Sequence, residues 1–210
     1  MRDDLAAQPR MCIIRLATEE TGLLMTSTRQ KDASQKQLAS GIFLDRDGVI
    51  NVKLPEGRYV KTPGELVMLP GAVSAMSLLK RLGYLLVLVT NQRGIALGYM
   101  SEEDLGRVHE RLREYLHEGG VALDGLYYCP HDDHESCDCR KPQSGMLFRA
   151  SDEMGICLVT SYMVGDSRKD VEAGRRAGTK TVRIATEHDD EADLTFPSLM
   201  DFALFLERGA

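Results

Sequence analysis

Four short segments of the chain carry residue types that could act on a phosphoryl group, and a fifth could hold a metal. The first is Asp45-Arg46-Asp47-Gly48-Val49-Ile50-Asn51, directly after the apolar run 41–44. Two carboxylates one residue apart, where a buried strand runs out, are costly unless a metal or hydrogen bonds offset their charge. One of them can attack phosphorus while the other manages the proton. Gly48 permits the tight turn that brings backbone near a ligand. The second segment is Thr90-Asn91-Gln92, after the apolar run 86–89, where a hydroxyl and amide donors can grip phosphoryl oxygens. The third is Arg140-Lys141-Pro142, whose lysine can neutralise charge on a transferring phosphoryl group. The fourth is Val164-Gly165-Asp166-Ser167, with Asp170 four residues beyond Asp166. Its carboxylates suit magnesium, a hard ion that keeps several waters. Taken singly, each segment also fits a solvated turn, a capped strand end or a surface lysine, so the weight lies in the four together.

The fifth segment is Cys129-Pro130-His131, then five residues, then Cys137-Asp138-Cys139. Three thiols and one imidazole within eleven residues form a closed tetrahedral zinc set of the structural kind, with no position left for a catalytic water. His134 lies inside the loop and is an inferior ligand. Bound zinc would stiffen a loop that ends at Arg140-Lys141 and so aim those cations. The expected cofactors are therefore Mg2+ and Zn2+.

These segments need a scaffold, and the pattern of the chain supplies one. Short continuous apolar runs predict buried strands over 41–45, 84–90 and 162–166, with shorter candidates at 123–129 and 179–185. Helical periods lie between them. Residues 72–82 place Val73, Met76 and Leu79 on one face. A second helix opens at Ser101 with Asp104 in capping-box spacing, turns Leu105, Val108, Leu112 and Leu116 inward, and stops at Gly119-Gly120. Further helices are expected over 144–154 and 168–177. Strands alternating with helices imply an α/β fold, a three-layer Rossmann-like parallel sheet with helices on both faces. Sites in such sheets lie beyond the carboxyl ends of the strands, where each of the motifs falls.

Composition narrows the function. With 210 residues, 43% apolar and 28% charged, the chain suits one soluble domain over 41–210, preceded by a polar, flexible segment over 1–40. A formal charge of −6 and the lack of a basic, aromatic-lined stripe argue against nucleic acid as partner or substrate. No apolar run approaches a membrane span, and the start lacks the pattern of a secretory signal. The expectation is a cytoplasmic monomer acting on a small-molecule sugar phosphate. His109 and His117 are expected at a helix surface or flank, Cys157 as core filler, Cys12 in the tail, the methionines mostly facing the core, and 187–193 as a solvated acidic loop.

In order and spacing, the four segments resemble the motifs of the haloacid-dehalogenase superfamily of phosphatases over residues 41–184. The resemblance implies that Asp45 is the nucleophile and Asp47 the general acid and base, with Thr90 and Lys141 binding the phosphoryl group. It implies magnesium held by the Asp45 and Asp166 side chains and the Asp47 carbonyl, and Asp170 supporting Lys141 or the metal waters. All four motifs are intact, which disfavours a catalytically dead binding module. A zinc loop, with no room for a large cap domain, narrows the resemblance to two families, the heptose bisphosphate 7-phosphatases and the histidinol-phosphatases. Thr90-Asn91-Gln92-Arg93-Gly94-Ile95-Ala96 with Gly98-Tyr99, Tyr127-Tyr128-Cys129-Pro130-His131 and Ser161-Tyr162-Met163-Val164-Gly165-Asp166 look more like the first. That implies hydrolysis of the 7-phosphate of a D-glycero-D-manno-heptose 1,7-bisphosphate, a step toward activated heptose for lipopolysaccharide core. Tyr59-Val60 keeps one end of that family's sugar-binding segment, while Lys53 stands near an expected acidic residue and Ser167 departs from the lysine of some relatives. The implied substrate contacts are Tyr59, Thr90, Asn91, Gln92, Arg93, Arg140 and Lys141. A rim of Lys53, Arg58, Arg93 and Arg140 is more basic than a monophosphate requires, and Arg93 and Arg140 are the expected partners of a second phosphate.

Overall fold

The computed structural model describes residues 38–209, so Cys12 and most of the expected N-terminal segment lie outside the described residues. At the boundary, Ala39 forms a parallel bridge with Ile156, and Ser40 Oγ donates to Thr160 Oγ1 at 2.8 Å. The apolar runs become strands β1 (Gly41–Leu44), β2 (Leu85–Asn91), β3 (Gly125–Cys129), β4 (Tyr162–Gly165) and β5 (Lys180–Ile184). A sixth, β6 (Leu194–Phe196), follows the acidic loop. All pair in parallel, in the order β3-β2-β1-β4-β5-β6.

Strand side chains alternate between two cores, as the pleat requires. Ile42, Leu44, Leu86, Leu88 and Val164 face one side, where they meet helices α1 (Ala72–Arg81), α2 (Glu102–Glu118) and α5 (Leu199–Glu207). Phe43, Val87, Val89 and Met163 face the other, against α3 (Gly145–Met154) and the end of α4 (Arg168–Ala177). This is the three-layer sheet expected from alternating elements, and no large cap is inserted among the described residues. No helix of the described residues is long and apolar enough to cross a membrane.

The helix boundaries follow local chemistry. Ser101 Oγ accepts from the Asp104 N–H at 3.1 Å while Asp104 accepts from the Ser101 N–H at 2.8 Å, the reciprocal cap read from the sequence. Leu105, Val108, Leu112 and Leu116 are buried on α2 as expected, and Met76 and Leu79 on α1, where Val73 is only partly covered. Beyond residue 185 the pattern reading assigned no element, yet β6 and α5 complete the sheet and its cover there. Three residues are too few to show a period, and α5 depends on tertiary contact: Phe202 packs on Tyr162 and Phe196 with ring centroids 5.3 and 5.7 Å apart.

β1 lies between β2 and β4. The chain runs outward from β1 through β2 to β3, then crosses back to β4 and continues the other way. The strand order therefore reverses between β1 and β4, and the carboxyl ends of adjacent strands open a crevice there.

Candidate active site

The motif residues converge at that crevice. Asp45 and Asp47 follow β1, Thr90 and Asn91 end β2, Asp166 follows β4, and Asp170 sits in the first turn of α4. Two glycines allow the close approach. Gly48 has φ +90°, and a Cβ there would stand 2.3 Å from Asp166 Oδ2. A Cβ on Gly165 would stand 2.1 Å from the Asp170 Cβ. Side chains at either position would push the β1 loop or α4 away from the crevice.

Lys141 organises the floor. It is 2% exposed, and its Nζ lies 2.8 Å from Asp45 Oδ1, 2.6 Å from Asp170 Oδ1 and 2.8 Å from the Val89 carbonyl. An ammonium has three donors, so this set saturates it. Burial alone would disfavour the charged amine, but Asp170 and Asp45 hold it above the ordinary lysine range. Asp170 Oδ2 meanwhile accepts the Ser167 N–H at 3.0 Å, so one carboxylate caps α4 and anchors the lysine.

Burial pushes the Asp45 carboxyl up to about 7; Lys141 pulls it down, and Asp170 and Asp47 add to the rise. Four carboxylates (Asp45, Asp47, Asp166, Asp170) meet two buried cations, Arg46 and Lys141, a surplus of two negative charges. The half-exposed Lys53, 2.6 Å from Asp166 Oδ2, adds to the balance. Asp166 Oδ1 is buried without a hydrogen-bond partner, and oxygens of Asp45, Asp166 and Asp170 lie within 4.8 Å of one another. Hard oxygen donors with surplus negative charge and one orphaned acceptor fit a divalent cation such as magnesium.

Asp47 is held from three sides. Arg46 Nη2 donates to its Oδ1 and Oδ2 at 3.2 and 3.0 Å, Asn51 Nδ2 to Oδ1 at 2.9 Å, and Gln92 Nε2 to Oδ2 at 3.3 Å. Arg46 is 1% exposed, and its Nη1 lies 3.4 Å from His109 Nε2. His109 is therefore not a surface or flank residue, as its helix position suggested, but is 4% exposed behind the first motif. Burial first, and then the charge of Arg46, push its pKa down to about 3, which leaves a neutral ring able to accept from the guanidinium. His117 is exposed, as expected.

The other expected contacts separate into two groups. Asp45, Asp47, Tyr59, Asn91, Gln92, Arg140, Lys141 and Asp166 line a cleft of about 330 Å³, together with Lys53, Arg58 and Lys169. Thr90 and Arg93 do not line it. Thr90 is buried, its Oγ1 accepting from Gln92 Nε2 at 2.9 Å. Arg93 pairs with Asp132 and, at 3.2 Å, with Asp133. Asp133 also accepts from Arg140 Nε at 2.7 Å, while Arg140 Nη1 is buried without a partner. Asn91 spends both ends of its amide on the backbone of Lys141: Oδ1 accepts its N–H at 3.0 Å and Nδ2 donates to its carbonyl at 2.9 Å. It thereby clamps the loop that carries the lysine. Tyr59 packs on Tyr99, ring centroids 5.7 Å apart, at the mouth.

The cysteine-rich loop closes as its spacing implied. The sulfur atoms of Cys129, Cys137 and Cys139 and a ring nitrogen of His131 lie within 4.8 Å of one another, with His131 Nδ1 3.4 Å from Cys129 Sγ and 3.3 Å from Cys139 Sγ. Burial pushes the Cys129 and Cys139 thiols up, a cost that a bound cation would offset. Four convergent soft donors fit zinc. His134 is exposed and outside the group, and Cys157 is buried as expected.

A parallel sheet of this order with an aspartate pair, a buried lysine and an acidic triad at its switch point defines a haloacid-dehalogenase-type hydrolase. The family model described as HAD-hyrolase-like matches residues 138–203. The D-glycero-beta-D-manno-heptose-1,7-bisphosphate 7-phosphatase of Photorhabdus laumondii is 42% identical over 174 residues, covering 76% of this chain and 91% of that protein. The enzyme of the same name from Escherichia coli K12 is 41% identical over 181 residues, covering 80% and 93%. The crystal structure of D,D-heptose 1,7-bisphosphate phosphatase from B. bronchiseptica, complexed with magnesium and phosphate, superposes with a TM-score of 0.75 at 30% identity, covering 81% of this chain and 99% of that one. The chain belongs to the family of heptose 1,7-bisphosphate 7-phosphatases within the haloacid-dehalogenase-like hydrolases.

The buried imidazole has a consequence for stability. An unfolded histidine takes up its proton near pH 6.5, whereas His109 in the fold does so only near 3, so the unfolded state binds more protons between those values. Its contribution is present above pH 6.5 and is lost as pH falls toward 3. Between pH 7 and pH 5 the wild type should lose about 2 kcal/mol more stability than a His109→Gln variant, measured by chemical denaturation at both pH values.

Proposed function

We propose that the protein hydrolyses the 7-phosphate of a D-glycero-D-manno-heptose 1,7-bisphosphate through a phosphoryl group carried on Asp45. The observation that carries this reading is the convergence of Asp45, Asp47, Lys141 and Asp166 on one cleft, in a chain more than 40% identical to phosphatases of that name. Phosphoryl transfer depends on positioning and charge neutralisation more than on elaborate covalent chemistry, and the site is built for both. An Asp45 oxygen forms a bond to phosphorus as the bond from phosphorus to the sugar oxygen breaks, and Asp47 gives its proton to that departing oxygen. A water then attacks the phosphorus, Asp47 takes a proton from it, and release of Asp45 yields inorganic phosphate. Lys141 beside Asp45 offsets the repulsion between carboxylate and phosphate. Asn91 and Gln92 line the cleft at the end of β2, and Thr90 stands behind them against Gln92.

Magnesium, held by the Asp45 and Asp166 side chains and the Asp47 carbonyl, would supply further charge neutralisation for the phosphoryl oxygens. Zinc on Cys129, His131, Cys137 and Cys139 would have a structural role, fixing the loop whose next residues are Arg140 and Lys141. The unbridged thiols of that loop suit the reducing cytoplasm.

The distal phosphate of a bisphosphate would meet Arg140, with Arg58, Lys53 and Lys169 beside it on the rim and Arg93 reinforcing the loop from behind. Such a rim would repel the amine of histidinol phosphate.

Asp45→Asn should lower kcat at least a thousandfold, about 4 kcal/mol of barrier, with circular dichroism and thermal unfolding showing an intact fold. Elemental analysis of protein purified without added metal should find one zinc per chain. Cys137→Ser should lose that zinc, part of the thermal stability and part of the activity. In steady-state kinetics, kcat/KM should fall from the bisphosphate to the 7-monophosphate and further to histidinol phosphate. A preference for histidinol phosphate would move the chain's substrate to the neighbouring family's, and equal rates on the two heptose phosphates would remove the second anion site.

A further inference from the structure

Arg46 is the largest fully buried side chain of the described residues and belongs to none of the roles above. A guanidinium cannot shed its charge, so holding it at 1% exposure is costly unless a carboxylate and good acceptors surround it. Its partners are specific. One terminal nitrogen spans both oxygens of Asp47 at 3.2 and 3.0 Å and also reaches Gln92 Oε1 at 3.3 Å. The other faces His109 Nε2 at 3.4 Å. His109 in turn packs on Tyr128, ring centroids 6.1 Å apart, and Tyr128 donates to Glu102 at 3.1 Å. A continuous path of contacts thus runs from α2 and β3 to the Asp47 carboxyl. Asp47 itself remains 26% exposed, on the side open to the cleft.

We propose that Arg46, backed by His109 on α2, is the positioning residue that fixes the plane of the Asp47 carboxyl and so sets the direction in which its cleft-facing side meets the departing sugar oxygen. A carboxyl on a surface turn would rotate freely about its terminal bond. Here Arg46, Asn51 and Gln92 together define one plane, and Arg46 is itself fixed because its far nitrogen rests on an imidazole held by a helix. His109 acts through Arg46 and touches neither substrate nor phosphoryl group. The inference rests on Asp47 being the general acid and base.

Leaving-group dependence provides the test, because a poorly departing sugar oxygen needs a well-aimed proton and p-nitrophenolate does not. The single-turnover rate of leaving-group release, which isolates transfer to Asp45 from the later attack of water that also uses Asp47, is measured with heptose bisphosphate and with p-nitrophenyl phosphate for Arg46→Lys, His109→Leu and His109→Gln, alongside Asp47→Asn. Arg46→Lys should lose about a hundredfold in that rate on the sugar phosphate, within the range general acid catalysis supplies, and about threefold or less on the aryl ester. His109→Leu keeps the packing volume but not the acceptor. It should lose about tenfold on the sugar phosphate alone, with KM unchanged, and His109→Gln should restore most of it. Binding of inorganic phosphate with magnesium, followed by calorimetry, should be unchanged in all three. If Arg46→Lys does not fold, the His109 pair decides. Equal losses on both substrates, or wild-type turnover in His109→Leu, would overturn the positioning role while Asp47→Asn still shows the leaving-group pattern. Should Asp47→Asn lose both substrates equally, the acid–base assignment fails and the inference with it.

Discussion

Everything in the site depends on one buried lysine. Asp45 after β1 and Asp170 in the first turn of α4 are brought together, and without Lys141 between them their charges would drive those elements apart or force protonation. The ion pairs lie in a region nearly closed to water, where screening is weak and an unpaired charge is severe. The same ammonium also hydrogen-bonds the Val89 carbonyl of β2, so a single group ties the carboxyl ends of β1 and β2 to the first turn of α4.

Lys141 comes from a loop, and loops do not hold buried charges in place unaided. Two constraints make this one rigid. The Asn91 amide clamps the lysine backbone from β2, and the cluster of Cys129, His131, Cys137 and Cys139 closes the loop just upstream. Asp133, on that same loop, also gathers Arg140, Arg93 and Lys169. The loop therefore sets both the floor and the rim of the cleft. Among the described residues no large cap covers the opening, and its edge is formed by loop cations.

The rim is basic although the whole chain is acidic. Charge segregated in this way gives one face a positive field that the net charge of the chain does not reveal. Tyr59 and Tyr99 add an aromatic edge at the mouth, suited to the body of a sugar.

Much of this was legible in the sequence because its signals are local. A buried strand announces itself by four or five apolar residues, and a carboxylate pair or a Thr-Asn-Gln at its end must then lie at the carboxyl edge of a parallel sheet. The order of the four motifs, the strands β1 to β5 and the three cysteines with their histidine all follow from such short-range patterns. Tertiary structure alone decided what depended on neighbours from elsewhere in the chain. His109 stands four residues after Leu105, at the margin of the apolar stripe of α2, and whether a margin is wet depends on what packs against it; here Arg46 and Tyr128 do. Arg93 and Arg140 read alike as rim cations, but Asp132 and Asp133 draw the first out of the cleft and leave the second in it. Asn91 read as a ligand-binding amide, and only the return of the chain at Lys141 made it a clamp. Residue type and spacing determine which chemistry is available, because those are local properties. Which polar group faces the substrate, and which faces another polar group, is settled by long-range packing, because each buried donor and acceptor must find its partner there.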